Sequence, residues 1–303
     1  MRFLFMSDTH FTSRKDTGQS IWLNRLLFDK WDEMQARVIS RIKELKPDAI
    51  IHCGDFTQFG TTEDYAYGKA ILDATGVPWY TVPGNHDASS ATVKDEMRKE
   101  FGINNGSAFC YSRTFNNITV AFLDVCVRIS DILFCIDEDA LFWIEGFLKE
   151  NYNKIVFLVC HIPVRYRTVV SECGKFITGD NLIDGRIYSR HIVGNVGRIE
   201  NVSKLREIIE NNKNVKIVFS GHWHINSLDI IKGVYYKIVP SVCDFPCEVV
   251  VVDCDAKEIK IHNKVAVSPE LQKTSFIAEW NNTWVLGSRK SRNIAISLQK
   301  SLW

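Results

Sequence analysis

Long apolar runs are absent from this chain of 303 residues. No stretch approaches the roughly 20 residues that a membrane-crossing helix needs, which excludes an integral helical membrane protein. Surplus charge of either sign is absent as well: 37 basic residues stand against 36 acidic ones, for a net charge of +1. That balance gives no global field toward nucleic acid or an anionic membrane, so any pull on a phosphate group has to be local. No internal repeat or low-complexity tract appears. Nor do the nine cysteines form a clustered thiolate set, which argues against a structural zinc site of the cysteine type. They are odd in number and lie mostly in apolar stretches, as Cys53, Cys126 and Cys160 do. Such usage fits buried thiols in a reducing cytoplasm rather than a disulfide framework. Cys243 and Cys247 lack the two-residue spacing of a redox or zinc knuckle and read as part of a loop between strands. The first apolar run starts at once and leads straight into Asp8, so the expectation is a cytoplasmic chain without a cleavable leader.

What is present begins with an ample supply of core, since 46% of residues are hydrophobic. The length exceeds the usual single-domain size but suits one large sheet-based domain with appendages. Five short polar clusters each follow an apolar run: Asp8-Thr9-His10, Gly54-Asp55, Gly84-Asn85-His86-Asp87, Cys160-His161 and Gly221-His222-Trp223-His224. β-rich stretches such as Phe3-Leu4-Phe5-Met6, Ala49-Ile50-Ile51 and Ile217-Val218-Phe219 deliver them at strand ends, where open α/β sheets place their chemistry. Any one cluster alone reads equally well as a hydrogen-bonded turn. Five in series do not. Carboxylate, imidazole and amide donors together suit hard or borderline divalent ions. Two such ions roughly 3.5–4 Å apart can share a carboxylate and generate a hydroxide for in-line attack on phosphorus.

Periodicity supplies the frame. Leu27, Trp31, Met34, Val38, Ile42 and Leu45 recur at three- and four-residue steps, the mark of a helix packed on a sheet, and Pro47-Asp48 ends it. Ala49 to Cys53 is the next strand. Thr62-Glu63-Asp64 can cap a second helix to about Ala74, with Gly76 as its stop, and Trp79 to Val82 is a third strand. This β-α-β-α-β order implies parallel strands with right-handed crossovers, which bring the first three clusters to one sheet edge. Phe109 to Phe115 and Ile118 to Leu123 form a hairpin about Asn116-Asn117. Asp137 precedes a helix through Leu141, Ile144, Phe147 and Leu148. Lys154 to Cys160 is a strand ending at His161. Leu205 to Ile209 is helical, and Val215 to Ser220 is the strand before the last histidines. Hairpins Leu228 to Val239 and Glu248 to Val265 are expected to complete a second, more antiparallel sheet. Two mixed sheets face to face with helices outside make an α/β, four-layer αββα sandwich.

The order D-x-H, G-D, G-N-H-D, H and G-H-x-H resembles the calcineurin-like metallophosphoesterase family over Met1 to about Val265. The resemblance implies the same sandwich fold and a dinuclear metal centre of Mn, Fe, Zn or Co, in divalent or mixed-valence form. By it, Asp8, His10, Asp55 and His224 hold one ion, and Asp55, Asn85, His161 and His222 hold the other, with Asp55 as the bridge. His86 is then the catalytic non-ligand histidine, which binds phosphate alongside Asn85 and assists the leaving oxygen. Asp87 either orients that ring or caps the helix beginning near Ala91. Gly54-Asp55-Phe56-Thr57 and Gly76-Val77-Pro78 through Pro83-Gly84-Asn85-His86-Asp87 resemble the bacterial cyclic-nucleotide and glycerol phosphodiesterase branch. Two departures surround the pocket: Ile162-Pro163-Val164 where that branch often shows two prolines, and Leu123-Asp124-Val125-Cys126 in place of L-D-S or L-D-T.

The expected function is therefore hydrolysis of a small soluble phosphoester by metal-bound hydroxide. The alternatives are a nuclease, which needs a groove of positive charge, and a catalytically silent protein-interaction scaffold. Of the other histidines, His52 reads as a hydrogen-bonded neighbour of the site and His262 as a surface or packing residue. His191 is a candidate substrate contact. It lies in the glycine- and arginine-rich connection 162–200, which is either a lid or wall of the substrate pocket or a solvated loop. In the solvated case its arginines pair with Glu172, Asp180, Asp184 and Glu200. Residues 266–303 form a C-terminal extension with Phe276, Trp280, Trp284 and Trp303. Its aromatics are expected to be buried against this chain or a second copy.

Overall fold

The computed structural model describes residues 1–13, 30–104, 106, 108–130, 133–165, 182–183, 186–187, 198–278 and 283–298. The first sheet starts with β1 (Arg2–Met6), β2 (Ala49–His52) and β3 (Trp79–Thr81), which run parallel. Between them lie α1 (Trp31–Leu45) and α2 (Thr62–Asp73), and after β3 comes α3 (Ala91–Phe101). Helix α1 buries Trp31, Met34, Val38 and Ile42 and stops at Lys46, whose left-handed backbone lets its N–H reach the Ile42 carbonyl before Pro47. The cap of α2 is Thr61, one residue earlier than the predicted cluster: its hydroxyl accepts the Asp64 N–H at 3.2 Å.

The second sheet is built from β4 (Cys110–Phe115), β5 (Ile118–Leu123), β8 (Ile155–Val159), β12 (Val215–Ser220), β13 (Ser227–Ile231) and β14 (Val234–Ile238). Its order is β13-β14-β12-β8-β5-β4, with β5, β8, β12 and β14 parallel. The strands between are short: β6 (Val127–Arg128) and β7 (Leu133–Cys135) join β11 (Arg198–Ile199) in a three-stranded sheet, and β9 (Leu182–Ile183) pairs with β10 (Arg186–Ile187). Helices α4 (Glu138–Glu150) and α5 (Val202–Asn211) follow β7 and β11. Asp137, which the sequence places just before this helix, caps α4 by accepting from the Asp139 N–H at 2.9 Å.

Side-chain alternation along the strands creates the layers. Val120, Phe122, Phe157, Val159, Ile217 and Phe219 point to the first sheet. The intervening Ala121, Leu123, Val156, Leu158 and Val218 share a cluster with Leu141, Ile144 and Leu148 of α4 and Leu205 and Ile209 of α5. Between the sheets, Phe5 stacks on Phe219 at 3.7 Å and Phe3 meets Phe157 edge-on at 6.0 Å. Full burial of each such ring contributes about 1.5–3 kcal/mol.

One expectation is corrected. Hairpin Glu248 to Val265, now β15 (Glu248–Cys254) and β16 (Glu258–Val265), joins the first sheet, not the second, because β15 lies antiparallel against the free side of β1. The reason is burial: β15 is buried at every position but Asp253, which suits only an interior strand. Beyond it, helix α6 (Pro269–Ala278) packs Phe276 on Phe245, and short helix α7 (Arg289–Arg292) leads into β17 (Asn293–Ser297), the edge strand beside β16. The described part of the tail thus packs on its own chain, with Ile294, Ile296 and Leu298 in the core, while Trp280 and Trp303 lie outside the described residues.

A buried polar network ties this tail to both sheets. Lys237 donates to Asn226, to the Ser291 carbonyl at 2.8 Å and to Asn263 at 3.2 Å, and burial holds its ammonium down to about 7. Arg292 forks onto the fully buried carboxylate of Glu248, which also accepts from Asn263 at 2.9 Å. Removing the guanidinium strands that carboxylate away from water. Arg292→Ala is expected to lower unfolding free energy by about 2–3 kcal/mol, read from urea denaturation with an unchanged slope.

Candidate metal centre

Register sets where the polar clusters emerge. Met6 of β1, His52 of β2 and Thr81 of β3 are paired in line, so the loops carrying Asp8, Asp55 and Asn85 leave one edge together. In the second sheet, Val159 of β8 pairs with Phe219 of β12, which sends out His161 and His222 side by side. The loops stay bonded beyond the strands: Asp8 N–H donates to the Gly54 carbonyl at 3.0 Å, His10 to Asp55 at 3.1 Å, and Gly221 to His161 at 2.8 Å. The two sheets are then stitched by the His222 N–H, which is 3.1 Å from both oxygens of Asp8.

Local conformation is costly here. Asp8, His10, Asp55, His222 and His224 all have left-handed backbone, with φ of 51°, 47°, 50°, 70° and 53°. Non-glycine residues hold such values, at on the order of 1 kcal/mol or more each, only where surrounding contacts over-determine them. Two of the glycines in the clusters serve close approach. A Cβ on Gly84 would stand 2.1 Å from both the backbone N and Oδ1 of Asp55, and one on Gly221 would stand 1.8 Å from Ser7 Oγ.

Two groups of donors result. In the first, Asp8, His10 and His224 present ligand atoms within 4.8 Å of one another. His224 Nε2 lies 3.3 Å from Asp8 Oδ1 and 3.2 Å from His10 Nε2. The second gathers Asp55, His161 and His222 within the same limit. Asn85 Oδ1 joins it, 3.1 Å from His161 Nε2 and 2.7 Å from His222 Nδ1. Asp55 Oδ2 is 3.3 Å from His161 Nε2 and 3.9 Å from His10 Nε2, so this carboxylate stands between the groups. All seven predicted ligands are therefore brought together.

The electrostatics call for positive charge. Burial works against ionising Asp8, yet His224 and His161 outweigh it and hold the carboxyl at about 2. Asp55 is likewise buried and is held well below the usual carboxylate range, chiefly by His161 and His86. The imidazoles divide. Burial would depress His161 and His224, but Asp55 raises the first to about 9 and Asp8 with Asp244 raises the second well above its ordinary value. Burial and neighbouring imidazoles depress His222 to about 3 and push His10 well down. Buried His10 Nδ1 and His222 Nε2 have no hydrogen-bond partner among the described residues. Two buried carboxylates, two imidazole nitrogens facing each other at 3.2 Å and an amide oxygen fit divalent cations in donor type and number.

His86 lies beside these donors. Its backbone N–H holds Asp55 Oδ1 at 2.8 Å, and its ring lies edge-on to His10 at 4.6 Å. Its Nδ1–H donates to the Gln58 carbonyl at 2.7 Å, which leaves Nε2 as the other ring nitrogen, and the ring lies close enough to group with His10 and Asp55. The Asp87 expectation is corrected on both counts, because its carboxylate neither orients that ring nor caps α3. It accepts from the N–H groups of Phe56, Thr57 and Gly84 at 3.0, 2.8 and 2.8 Å, and so clamps the loop after β2 to the loop after β3. His52 is a buried neighbour, bonded to Thr9 Oγ1 at 3.0 Å and to the Gly54 N–H at 3.1 Å. His262, on β16 beside the edge strand β17, pairs with Asn293 at 3.0 Å. His191 lies outside the described residues, as does most of 162–200.

Sequence reasoning missed Asp244, whose Oδ2 accepts the Nδ1–H of His224. The available signal was position: it follows β14, a strand parallel to β12, and so emerges at the same edge as the last two histidines.

The calcineurin-like phosphoesterase family model matches residues 1–226, most of the chain. The chain belongs to that family. Calcineurin-like phosphoesterases use divalent metals, in keeping with the donor groups found here. A probable glycerophosphodiester phosphodiesterase of Arcobacter nitrofigilis is 29% identical over 170 residues, 52% of this chain and 55% of that one. A 3',5'-cyclic-nucleotide phosphodiesterase of Nostoc sp. is 23% identical over 212 residues, 68% of this chain and 67% of that one. The match thus spans little more than half of the first relative. Among solved structures, a dimetal phosphatase from Danio rerio superposes with a TM-score of 0.67 over 98% of both chains at 12% identity, a likeness of fold.

Because a methyl group on Gly84 cannot coexist with Asp55 in its present place, Gly84→Ala is expected to weaken Mn²⁺ binding about tenfold or more. Equilibrium dialysis measures this, with an unchanged far-ultraviolet circular dichroism spectrum showing that the sheets persist.

Proposed function

We propose that this phosphoesterase is a dinuclear metal-dependent hydrolase of a small phosphoester, with a phosphodiester as the favoured substrate class. The observation that carries it is the meeting of two donor groups at one shared carboxylate, Asp55. Asp8, His10, Asp55 and His224 would hold one ion, and Asp55, Asn85, His161 and His222 the other. Mn, Fe, Zn and Co all accept this donor set, including as a mixed-valence pair. When bound, such ions supply Lewis acidity toward phosphate oxygens and lower the pKa of water.

The chain's own residues do the rest. Asn85 and His86 bind the phosphate from the loop after β3. The Gln58 carbonyl fixes the His86 tautomer, so the inward nitrogen is free to hold a proton and give it to the departing alkoxide. Support for a diester comes from the relatives, whose names specify glycerophosphodiesters and 3',5'-cyclic nucleotides. A small substrate rather than a polynucleotide is favoured by the balanced charge and by Arg165, which is spent on Glu210 at 2.9 Å. No helix among the described residues is long and apolar enough to cross a membrane. Among the described residues eight cysteines stand outside any disulfide, seven of them buried, which supports a reducing, cytoplasmic setting.

Hydrolysis of bis(4-nitrophenyl) phosphate with added Mn²⁺ tests the proposal. Activity is expected to vanish on chelation and to fall at least about a hundredfold in Asp55→Asn; an unchanged rate in either case rejects it. His86→Ala is expected to lower kcat about a hundredfold while metal content is kept. Parallel loss of one ion would instead make His86 a ligand, which its grouping with His10 and Asp55 permits.

A further inference from the structure

The loop 241–247 after β14 lies against the Asp8–His10–His224 group. Ser241 Oγ donates to the Asp8 carbonyl at 2.9 Å, and Cys243 Sγ lies 3.2 Å from the same oxygen. Ser7 and Ser241 form a parallel bridge, so this loop runs alongside the stretch that delivers Asp8. From the same turn the Asp244 carboxylate, 2% exposed, accepts the Nδ1–H of His224. The Cys247 N–H closes the turn onto the Asp244 carbonyl at 2.6 Å, and the Ser241 hydroxyl accepts from Asp244 N–H at 3.3 Å.

A carboxylate oxygen bonded to Nδ1 decides the tautomer of a neutral imidazole: the proton stays on Nδ1 and the lone pair on Nε2. Nε2 is the atom that lies 3.3 Å from Asp8 Oδ1 and 3.2 Å from His10 Nε2. The other inward-facing imidazoles are held differently: His161 Nδ1–H donates to the Cys53 carbonyl at 2.8 Å and His86 Nδ1–H to the Gln58 carbonyl at 2.7 Å. Among the described histidines of the site, His224 is the one whose Nδ1–H is bonded to a charged group. A full negative charge behind the ring makes Nε2 a stronger donor than a neutral carbonyl does.

From this we infer that Asp244 is a positioning residue for one of the two ions: it orients His224, fixes its tautomer and strengthens the Asp8–His10–His224 group, with no part in the Asp55–Asn85–His161–His222 group. The inference rests on the dinuclear reading of the site. It makes the two ions unequal by design of the protein scaffold, since one group has a carboxylate behind its histidine and the other has a backbone carbonyl.

Mn²⁺ titration calorimetry of the wild type, Asp244→Asn and Asp244→Ala, with metal analysis after dialysis, tests it. In Asp244→Ala the affinity of one site is expected to fall ten- to a hundredfold while the other stays within about threefold, leaving one ion after dialysis. Asp244→Asn keeps an oxygen acceptor for Nδ1–H without the charge, and is expected to lie between wild type and Asp244→Ala. Two native affinities in Asp244→Ala overturn the inference, and so does equal weakening of both sites, which marks a merely structural role. A wild type that takes up no Mn²⁺ overturns the dinuclear reading itself, which separates that failure from this one.

Discussion

One buried carboxylate organises the centre. Asp55 leaves the first sheet with both oxygens out of bulk water, Oδ1 held by the His86 N–H and Oδ2 turned toward His161 from the second sheet and His10 from its own. Asp8 adds a second buried charge a short way off. Withdrawing two carboxylates from water costs several kcal/mol each unless cations and hydrogen bonds meet them. The surrounding imidazoles and amide are that response, and they stand in two groups that meet at Asp55.

Holding donors so close requires backbone that few residues adopt freely. Five of the seven predicted ligands sit at positive φ. The strain is borne by contacts between loops rather than within them: the loop after β1 hydrogen-bonds along the loop after β2, and Asp87 clamps that loop to the one after β3. The Asp8 carboxylate then takes the His222 N–H from the opposite sheet. Each loop is shaped by its neighbours, so the constellation of donor side chains is a property of the packed sandwich and not of any one motif.

The last third of the chain belongs to this arrangement. Asn226, two residues beyond His224, is gripped by the tail: its N–H donates to the Val285 carbonyl at 2.8 Å and its amide to the Leu286 carbonyl at 2.7 Å. Lys237, Asn263, Glu248 and Arg292 continue the grip into both sheets. Together with loop 241–247, these contacts hold the segment that carries His222 and His224.

The sequence by itself determined the kinds of candidate donor, their order and their place at strand ends, because strand alternation and the Gly-Asp, Gly-Asn-His-Asp and Gly-His-x-His turns are local patterns. It also determined most helices and the early parallel strands, for the same reason. Tertiary structure alone decided that β15 and β16 flank β1, since the choice depends on which strand edge is left open after the first crossovers close. It likewise decided which nitrogen of each histidine faces inward. Asp244 behind His224, the Gln58 carbonyl behind His86 and the true partners of Asp87 come from distant or unpatterned positions, and a contact between such positions leaves no periodic or compositional trace along the chain.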